Sequence, residues 1–401
     1  MTAAEKSTAL SRALLLAGFA ALLCAPLAGW LLKATPPADF SEMQELAAWP
    51  DWRATPRPQW PQKFEAWLNT HFALRAQFIR AHGIVRHRWL GAPSSVVFVG
   101  RDDWLFYAGN GTFEDFVGRD PLSEAQLAHW HAVLEGRRAW LRERGIAYLF
   151  VLAPNKSTIH FERLPALLRA QARPGKMDQL LDYLRAKNST VPVLDLRPAL
   201  LALKSRQPAY WTADSHWNGA GLAAACDAIN ARVAALGLPV RADGARDLLD
   251  LSPVLRDYDC VDLLAMRGHW PLRPEPELRL RRPADLRAAV SPLTTVAPWK
   301  DAYAWKTPVT TERDSGQGHA ALLCDSFFRF GGMPLDSPAQ VPFMLTFRRF
   351  TSLWEWATFD QIRAIAELEK PEVVIEQWTE RFLKVIPDDH PEFARARAAK
   401  P

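Results

Sequence analysis

Two short stretches hold residue types that could do covalent chemistry. The first is YWTADSHWNGAG, Tyr210 to Gly221, where Asp214 and His216 stand two residues apart between Trp211 and Trp217. On a helix an i, i+2 pair points apart; in an extended loop both side chains fall on one side. A carboxylate there can hold one imidazole nitrogen and leave the other free as a base. The second stretch is LLCDSFF, where Ser326 directly follows an apolar run. A serine at a strand-to-loop junction can expose its hydroxyl as a nucleophile. The 110 residues separating His216 from Ser326 are no obstacle, since triads assemble from distant segments.

Taken alone, these residues leave three readings open. Asp214 and His216 could be polar residues of a structural turn, with Ser326 a helix N-cap. They could belong to a metal site, but His129 and His131 diverge on a helical stretch, and His160 and His269 stand alone. They could be a Ser-His-Asp triad. Cys324 is a rival nucleophile, set back inside the apolar strand where a thiol is inert.

The elements that must position these residues follow from periodicity. Ser123 and Gln126 form a capping box before a helical face of Leu127, Trp130, Leu134 and Leu141. AYLFVL (147–152), VPVLDL (191–196), HAALLC (319–324) and EVVIEQ (372–377) read as strands, the first and third as continuous apolar runs. Helical stretches fall at Met177–Ala186, Gly219–Leu236 and Asp360–Glu369. SVVFVGRDDWLFY reads as two strands around a turn. The alternation predicts an α/β fold with a parallel sheet covered by helices on both faces. In such sheets ligands bind beyond the carboxyl ends of the strands. APNKSTIH, DSFF and WTER directly follow strands there, and TADSHW comes about 15 residues after one. Residues 238–318 are Pro/Arg-rich and read as an irregular insertion.

The chain begins differently. Ala13 to Leu32 carry no charge, with Lys6 and Arg12 before them and Lys33 after. Twenty such residues can just span a bilayer. An uncleaved anchor, a cleaved signal and a buried helix remain open, and the basic residues in front favour an exported body. The organisation expected is a tip and anchor over 1–34, a connector over 35–62 with Pro36, Pro37, Pro50, Pro56, Pro58 and Pro61, and one domain over 63–401. Within 63–90 a helical pattern breaks near His71. An exported body permits disulfides; Cys226 and Cys260 are the expected pair, since Cys324 lies in a core strand. The net charge of +5 with scattered arginines carries no nucleic-acid signature.

The ordered set DDWLFY (102–107), APNKSTIH (153–160), DSHW (214–217), CDSFF (324–328) and PEVVIEQWTER (371–381) resembles the AlgX/AlgJ family. These are SGNH-hydrolase-like proteins that O-acetylate exopolysaccharides such as alginate in the bacterial periplasm. The resemblance runs from about residue 60 to 385. It implies Asp214 as orienter, His216 as base and Ser326 as nucleophile, with an oxyanion site that the Ser326 N–H could help form. Asn155, Lys156, Trp217 and Arg381 are expected to line the substrate crevice; Glu380 and Arg381 could equally be a structural ion pair. No metal or cofactor is implied. The implied partners are a polysaccharide acceptor and a membrane-bound acyltransferase that donates acetyl groups at the inner membrane. The N-terminal anchor and the lack of room for a carbohydrate-binding module make the chain more AlgJ-like. Cys324 and Asp103 stand where the family usually has small residues or Gly.

Overall fold

The computed structural model describes residues 3–32, 47–92, 94–240, 246–255, 259–281, 285–297, 299–302, 306–328, 341–354, 358–387 and 389, with side chains from residue 11 onward. Part of the expected connector (35–46) and part of the expected insertion lie outside them. The chain divides into two compact units, 1–94 with 257–271, and 95–256 with 272–401.

The larger unit is built on a seven-stranded sheet. Its strands in chain order are β1 (Ala147–Ala153), β2 (Val193–Asp195), β3 (Leu286–Ala289), β4 (Val309–Arg313), β5 (His319–Cys324), β6 (Arg349–Trp354) and β7 (Val373–Thr379). Their order across the sheet is β2-β1-β7-β5-β6-β4-β3. The first five of these run parallel. β4 and β3 add antiparallel to the β6 edge. The parallel core is as expected; the two antiparallel strands both fall inside the stretch 238–318 read as an irregular insertion. That stretch also supplies a hairpin of Leu249–Val254 with Glu275–Leu280. Charged and proline residues on its exposed face mask the alternation that marks a half-buried strand.

Both faces of the sheet are covered. Leu149, Val151 and Ala153 of β1 face one core with Leu322 of β5 and Ile229 and Val233 of the helix Gly219–Ala235. Tyr148, Phe150 and Leu152 face the other, with Trp130 and Leu134 of the helix Glu124–Arg142. That alternation is the two-residue period of a strand with both sides buried. The capping box opens the second helix as its residues require: Ser123 Oγ accepts from the Gln126 N–H, and Gln126 returns the bond to the Ser123 N–H.

β7 carries a buried charge at mid-sheet. Glu376 accepts from Arg137 Nη1 at 2.5 Å, from the Tyr148 hydroxyl at 2.6 Å and from Trp378 Nε1 at 2.7 Å. Arg137 also pairs with Asp389. Removing one member would strand the others without partners, a costly change in a dry interior.

The smaller unit holds the N-terminal helix Ala3–Leu31, the helices Trp60–His71 and Arg75–Gly83, and a π-helical turn at Ile84–Trp89. Ser11–Leu31 is long and apolar enough to cross a membrane, by length and composition. The break near His71 is real: Phe72 is extended and Leu74 is left-handed at φ 63°. None of the four cysteines forms a disulfide, contrary to the expected Cys226–Cys260 pair. Cys226 is 1% exposed in the core of the larger unit, and Cys260 belongs to the smaller one. Burial pushes the Cys226 thiol well above its ordinary pKa, which disfavours the thiolate that disulfide exchange requires.

Candidate active site

The D-x-H stretch is a closed loop, not a helix. Tyr210 and Trp217 form an antiparallel bridge, and the Trp211 N–H donates to the His216 carbonyl at 3.3 Å. Asn218 then caps the helix Gly219–Ala235: its Oδ1 accepts from the N–H groups of Ala220 and Gly221, each at 3.0 Å. Two glycines let that helix press against the loop. A Cβ on Gly221 would lie 2.0 Å from the Ala209 carbonyl oxygen, and one on Gly219 would lie 2.4 Å from the Leu278 nitrogen. Neither position can accept a side chain without moving the loop or the 249–280 hairpin.

At the loop's tip Asp214 Oδ1 accepts from the His216 N–H at 2.8 Å and meets His216 Nδ1 at 2.7 Å. The backbone bond fixes the carboxylate, and the carboxylate fixes the ring. His216 Nε2 lies 2.8 Å from Ser326 Oγ. His216 is 8% exposed, and Ser326 is half-buried. Both imidazole nitrogens face protein atoms, Nδ1 the Asp214 carboxylate and Nε2 the Ser326 hydroxyl.

Ser326 sits in the turn after β5. Asp325 builds that turn. Its Oδ1 accepts from the Phe327 N–H at 3.0 Å and its Oδ2 from the Thr379 N–H of β7 at 2.9 Å. The Asp325 N–H donates to Gln377 Oε1 at 3.2 Å. Phe327 reaches back to the base, its ring 5.1 Å from His216 and 4.8 Å from Trp217.

The segment 153–160 frames the D-x-H loop. The Tyr210 hydroxyl donates to the Pro154 carbonyl at 2.6 Å, and the Ala209 N–H donates to His160 Nε2 at 3.2 Å. His160 must be neutral to accept that bond; burial first, and Lys156 second, push its pKa down to about 3. Lys156 turns inward and is 3% exposed. Its ammonium donates to the carbonyls of Leu105 at 2.5 Å, Thr212 at 2.7 Å and Asp214 at 3.1 Å. It also lies 4.8 Å from the centre of the Trp104 ring. From the other side Glu275 accepts from the Thr212 N–H at 2.9 Å and from its hydroxyl at 2.7 Å. Burial raises the Glu275 pKa. Thr212 is thus pinned through its carbonyl and its amide by two oppositely charged side chains.

The residues expected to line the crevice separate into two kinds. Asn155 accepts from Arg381 Nη1 at 3.3 Å through its Oδ1. The Arg381 guanidinium lies 5.2 Å from the Phe327 ring and 5.4 Å from that of Tyr107. Its Nε is buried without a hydrogen-bond partner. Arg381 is therefore a cation beside the residue that follows the nucleophile. Lys156 and Trp217 face inward. Trp217 is 4% exposed, with Phe327 and Phe328 in edge contact with its ring, and so little of it reaches solvent that it has no face to offer a sugar. Glu380 and Arg381 do not pair with each other: Glu380 accepts from the Thr158 hydroxyl at 2.5 Å. Burial, with the charge of Asp115 behind it, pushes the Glu380 pKa up to about 7. A cavity of about 160 Å³ lies there, lined by Asn155, Ser157, Thr158, Asp115 and Glu380 among others; no triad residue lines it.

The chain is similar to known proteins over part of its length. Residues 97–278 match the family model described as the SGNH hydrolase-like domain of the acetyltransferase AlgX. That span contains Asp214 and His216 but ends before Ser326. A probable alginate O-acetylase AlgJ of Pseudomonas putida is 26% identical over 136 residues, 33% of this chain and 32% of the relative. The match thus spans about a third of that relative's length. Among solved structures, the O-acetyltransferase domain of Pseudomonas putida AlgJ aligns at a TM-score of 0.49 and 18% identity, over 76% of this chain and 99% of that one. Pseudomonas aeruginosa AlgX aligns at 0.45 and 15%, over 71% and 61%.

Proposed function

We propose that this chain, which carries the SGNH hydrolase-like domain of the AlgX/AlgJ family, is a polysaccharide O-acetyltransferase acting through Asp214, His216 and Ser326. The observation that carries the reading is the continuous hydrogen-bonded line from Asp214 Oδ1 through His216 to Ser326 Oγ, at 2.7 and 2.8 Å. The nucleophile rests on this geometry, because Ser326 lies beyond the span that matches the family model.

The steps follow from the atoms present. Ser326 Oγ attacks the acyl carbonyl of a donor while its proton passes to His216 Nε2. Asp214 holds the Nδ1 proton and stabilises the imidazolium that forms. The tetrahedral oxyanion is held by donors aimed at where its charge develops. The Ser326 N–H is one, and the Arg381 guanidinium is the nearby cation. Collapse breaks the bond to the donor's leaving group, which takes the proton from His216 and departs. Ser326 is left as an acetyl ester. A sugar hydroxyl then gives its proton to His216, attacks the ester carbonyl and leaves acetylated, and Ser326 recovers its proton.

The acceptor is an exopolysaccharide related to alginate, and the donor is a membrane-bound acyltransferase that delivers acetyl groups. The apolar helix Ser11–Leu31 anchors the chain in the inner membrane with the catalytic unit in the periplasm. Lys156 is a positioning residue on this reading, because its ammonium is spent on three carbonyls. No nucleic acid takes part.

The test uses a chromogenic acetyl ester with an oligosaccharide acceptor. Wild-type protein should release the chromophore and acetylate the sugar, and Ser326→Ala should do neither. Acetate release that no acceptor sugar diverts would make the protein an acetylesterase instead.

A further inference from the structure

The helix Trp60–His71 has no buried residue. Isolated helices of that length are marginal in water, so a bare one needs a surface to cover it. Its apolar face is aromatic. Trp60, Phe64, Trp67 and His71 recur at spacings of four, three and four, which is one stripe. Trp49 and Trp52 extend that stripe. Trp49 lies 4.5 Å from Trp67 and 5.8 Å from Trp52, and Trp52 lies 5.4 Å from Trp60. Trp49 is 56% exposed and Phe64 40%. Farther on, Trp89 and Leu90 are 74% and 73% exposed. So much open apolar surface marks an interaction site.

Two observations say what covers it. The first is depth. The turn that ends this helix touches the apolar N-terminal helix: a Cβ on Gly29 would lie 3.1 Å from Leu74 Cγ and 3.2 Å from Ala73 Cβ. Gly29 is two residues inside the end of the apolar span Ser11–Leu31, about 3 Å along a helix axis. The aromatic stripe therefore starts at the level where a spanning helix leaves the hydrocarbon. The second is charge. Over 47–92 the basic residues are Arg53, Arg57, Lys63, Arg75, Arg80, Arg86 and Arg88, against Asp51 and Glu65. Tryptophan with arginine and lysine is the composition that settles among headgroups, and cations there are drawn to anionic lipid.

We infer that residues 47–92 form a collar that lies in the headgroup region of an anionic membrane around the outer end of the span. The inference rests on reading Ser11–Leu31 as membrane-spanning. The collar would hold the base of the chain against the bilayer, where a membrane-bound donor of acetyl groups must hand them over.

Full-length protein in vesicles of phosphatidylglycerol and phosphatidylcholine with brominated acyl chains tests this by tryptophan quenching. Two variants divide the signal: Trp30→Phe removes the tryptophan of the span, and a variant with Trp49, Trp52, Trp60 and Trp67 each changed to Phe removes those of the collar. The expected result is that each variant loses a quenchable part of the emission, the collar's part shrinking in phosphatidylcholine alone. If only the Trp30 part is quenched, the span stands and the collar is overturned, which leaves the aromatic face to a protein or polymer partner. If neither part is quenched, both readings fall. Should the fourfold variant not fold, amide exchange of 60–71 in wild-type protein asks the same question. Slower exchange in phosphatidylglycerol nanodiscs than in phosphatidylcholine ones is expected, and equal exchange overturns the collar.

Discussion

The two halves of the triad are held in different ways. The D-x-H loop is fastened from several sides: by Lys156 and His160 after β1 and Glu275 from the 249–280 hairpin, all far away in sequence, and by its neighbour Asn218, whose amide donates to the Pro208 and Tyr210 carbonyls. The Ser326 turn has fewer ties, made through one side chain's neighbourhood: its own neighbour Asp325 and the end of the adjacent strand β7. A base must present one nitrogen in one tautomer and one direction, so its loop is over-determined. A nucleophile at a strand end inherits its position from the sheet and needs little more. The two halves should therefore fail differently: faults in the base's frame should cost stability and activity together, and faults at the nucleophile should cost activity alone.

The largest effect lies on the nucleophile side. Ser326→Ala should abolish turnover of a chromogenic acetyl ester and leave the melting temperature nearly unchanged, because the hydroxyl is half-buried at the mouth of the site. A large drop in melting temperature would mean that Ser326 is structural. Asp214→Asn should lower kcat by roughly 10³–10⁴-fold, since an amide no longer selects the productive imidazole tautomer. Steady-state kinetics at saturating ester decide that figure.

Lys156→Met draws the contrast between the halves. It removes the donor from three carbonyls and should cost about 2–4 kcal/mol, net of the desolvation that the buried ammonium no longer suffers. Denaturant unfolding should show this loss, and kcat should fall more than KM rises. A rise in KM alone, with full stability, would return Lys156 to the substrate crevice. Asp325→Asn should be milder, about 1–2 kcal/mol, because the amide keeps one acceptor for the Phe327 and Thr379 N–H groups.

The smallest effects are in pH, and they have opposite signs. His160 has a folded pKa of about 3, below its unfolded value, so the unfolded chain binds more protons between these values. Its share of stability is complete above about pH 6.5 and falls as pH drops toward 3. Glu380 has a folded pKa near 7, above its unfolded value. Its share is complete below about pH 4.5 and is lost as pH rises through 7. Unfolding of His160→Gln and Glu380→Gln across pH 4–8 should change the slope in opposite directions; a shared direction would contradict these environments.

Sequence alone carried the parts of the site that depend on local spacing. Asp214 and His216 could be read as a pair because i and i+2 in a loop share a side, and Ser326 because it ends an apolar strand. The helices showed through their periodicity, and the 123–126 cap through its two residues. What did not show is what the frame is made of. Lys156 at a strand end reads as a substrate cation, because nothing in its neighbours says that three carbonyls, all of them more than fifty residues away, will surround it. Glu275 was hidden within a Pro/Arg-rich stretch whose strands have one solvated face and so lack an apolar run. Trp217 beside the histidine reads as a sugar platform, and only the packing of Phe327 and Phe328 on its ring shows that it is a wall.

The most direct test of the account is to find where the acetyl group rests. Protein mixed with a chromogenic acetyl ester, quenched in acid within the first turnover and digested, should carry one acetyl group on the peptide containing Ser326. That group should disappear when an acceptor oligosaccharide is added before the quench, and should never form on Ser326→Ala. An acetyl group on another residue, or continued turnover by Ser326→Ala with no acetyl on that peptide, would contradict the triad described here.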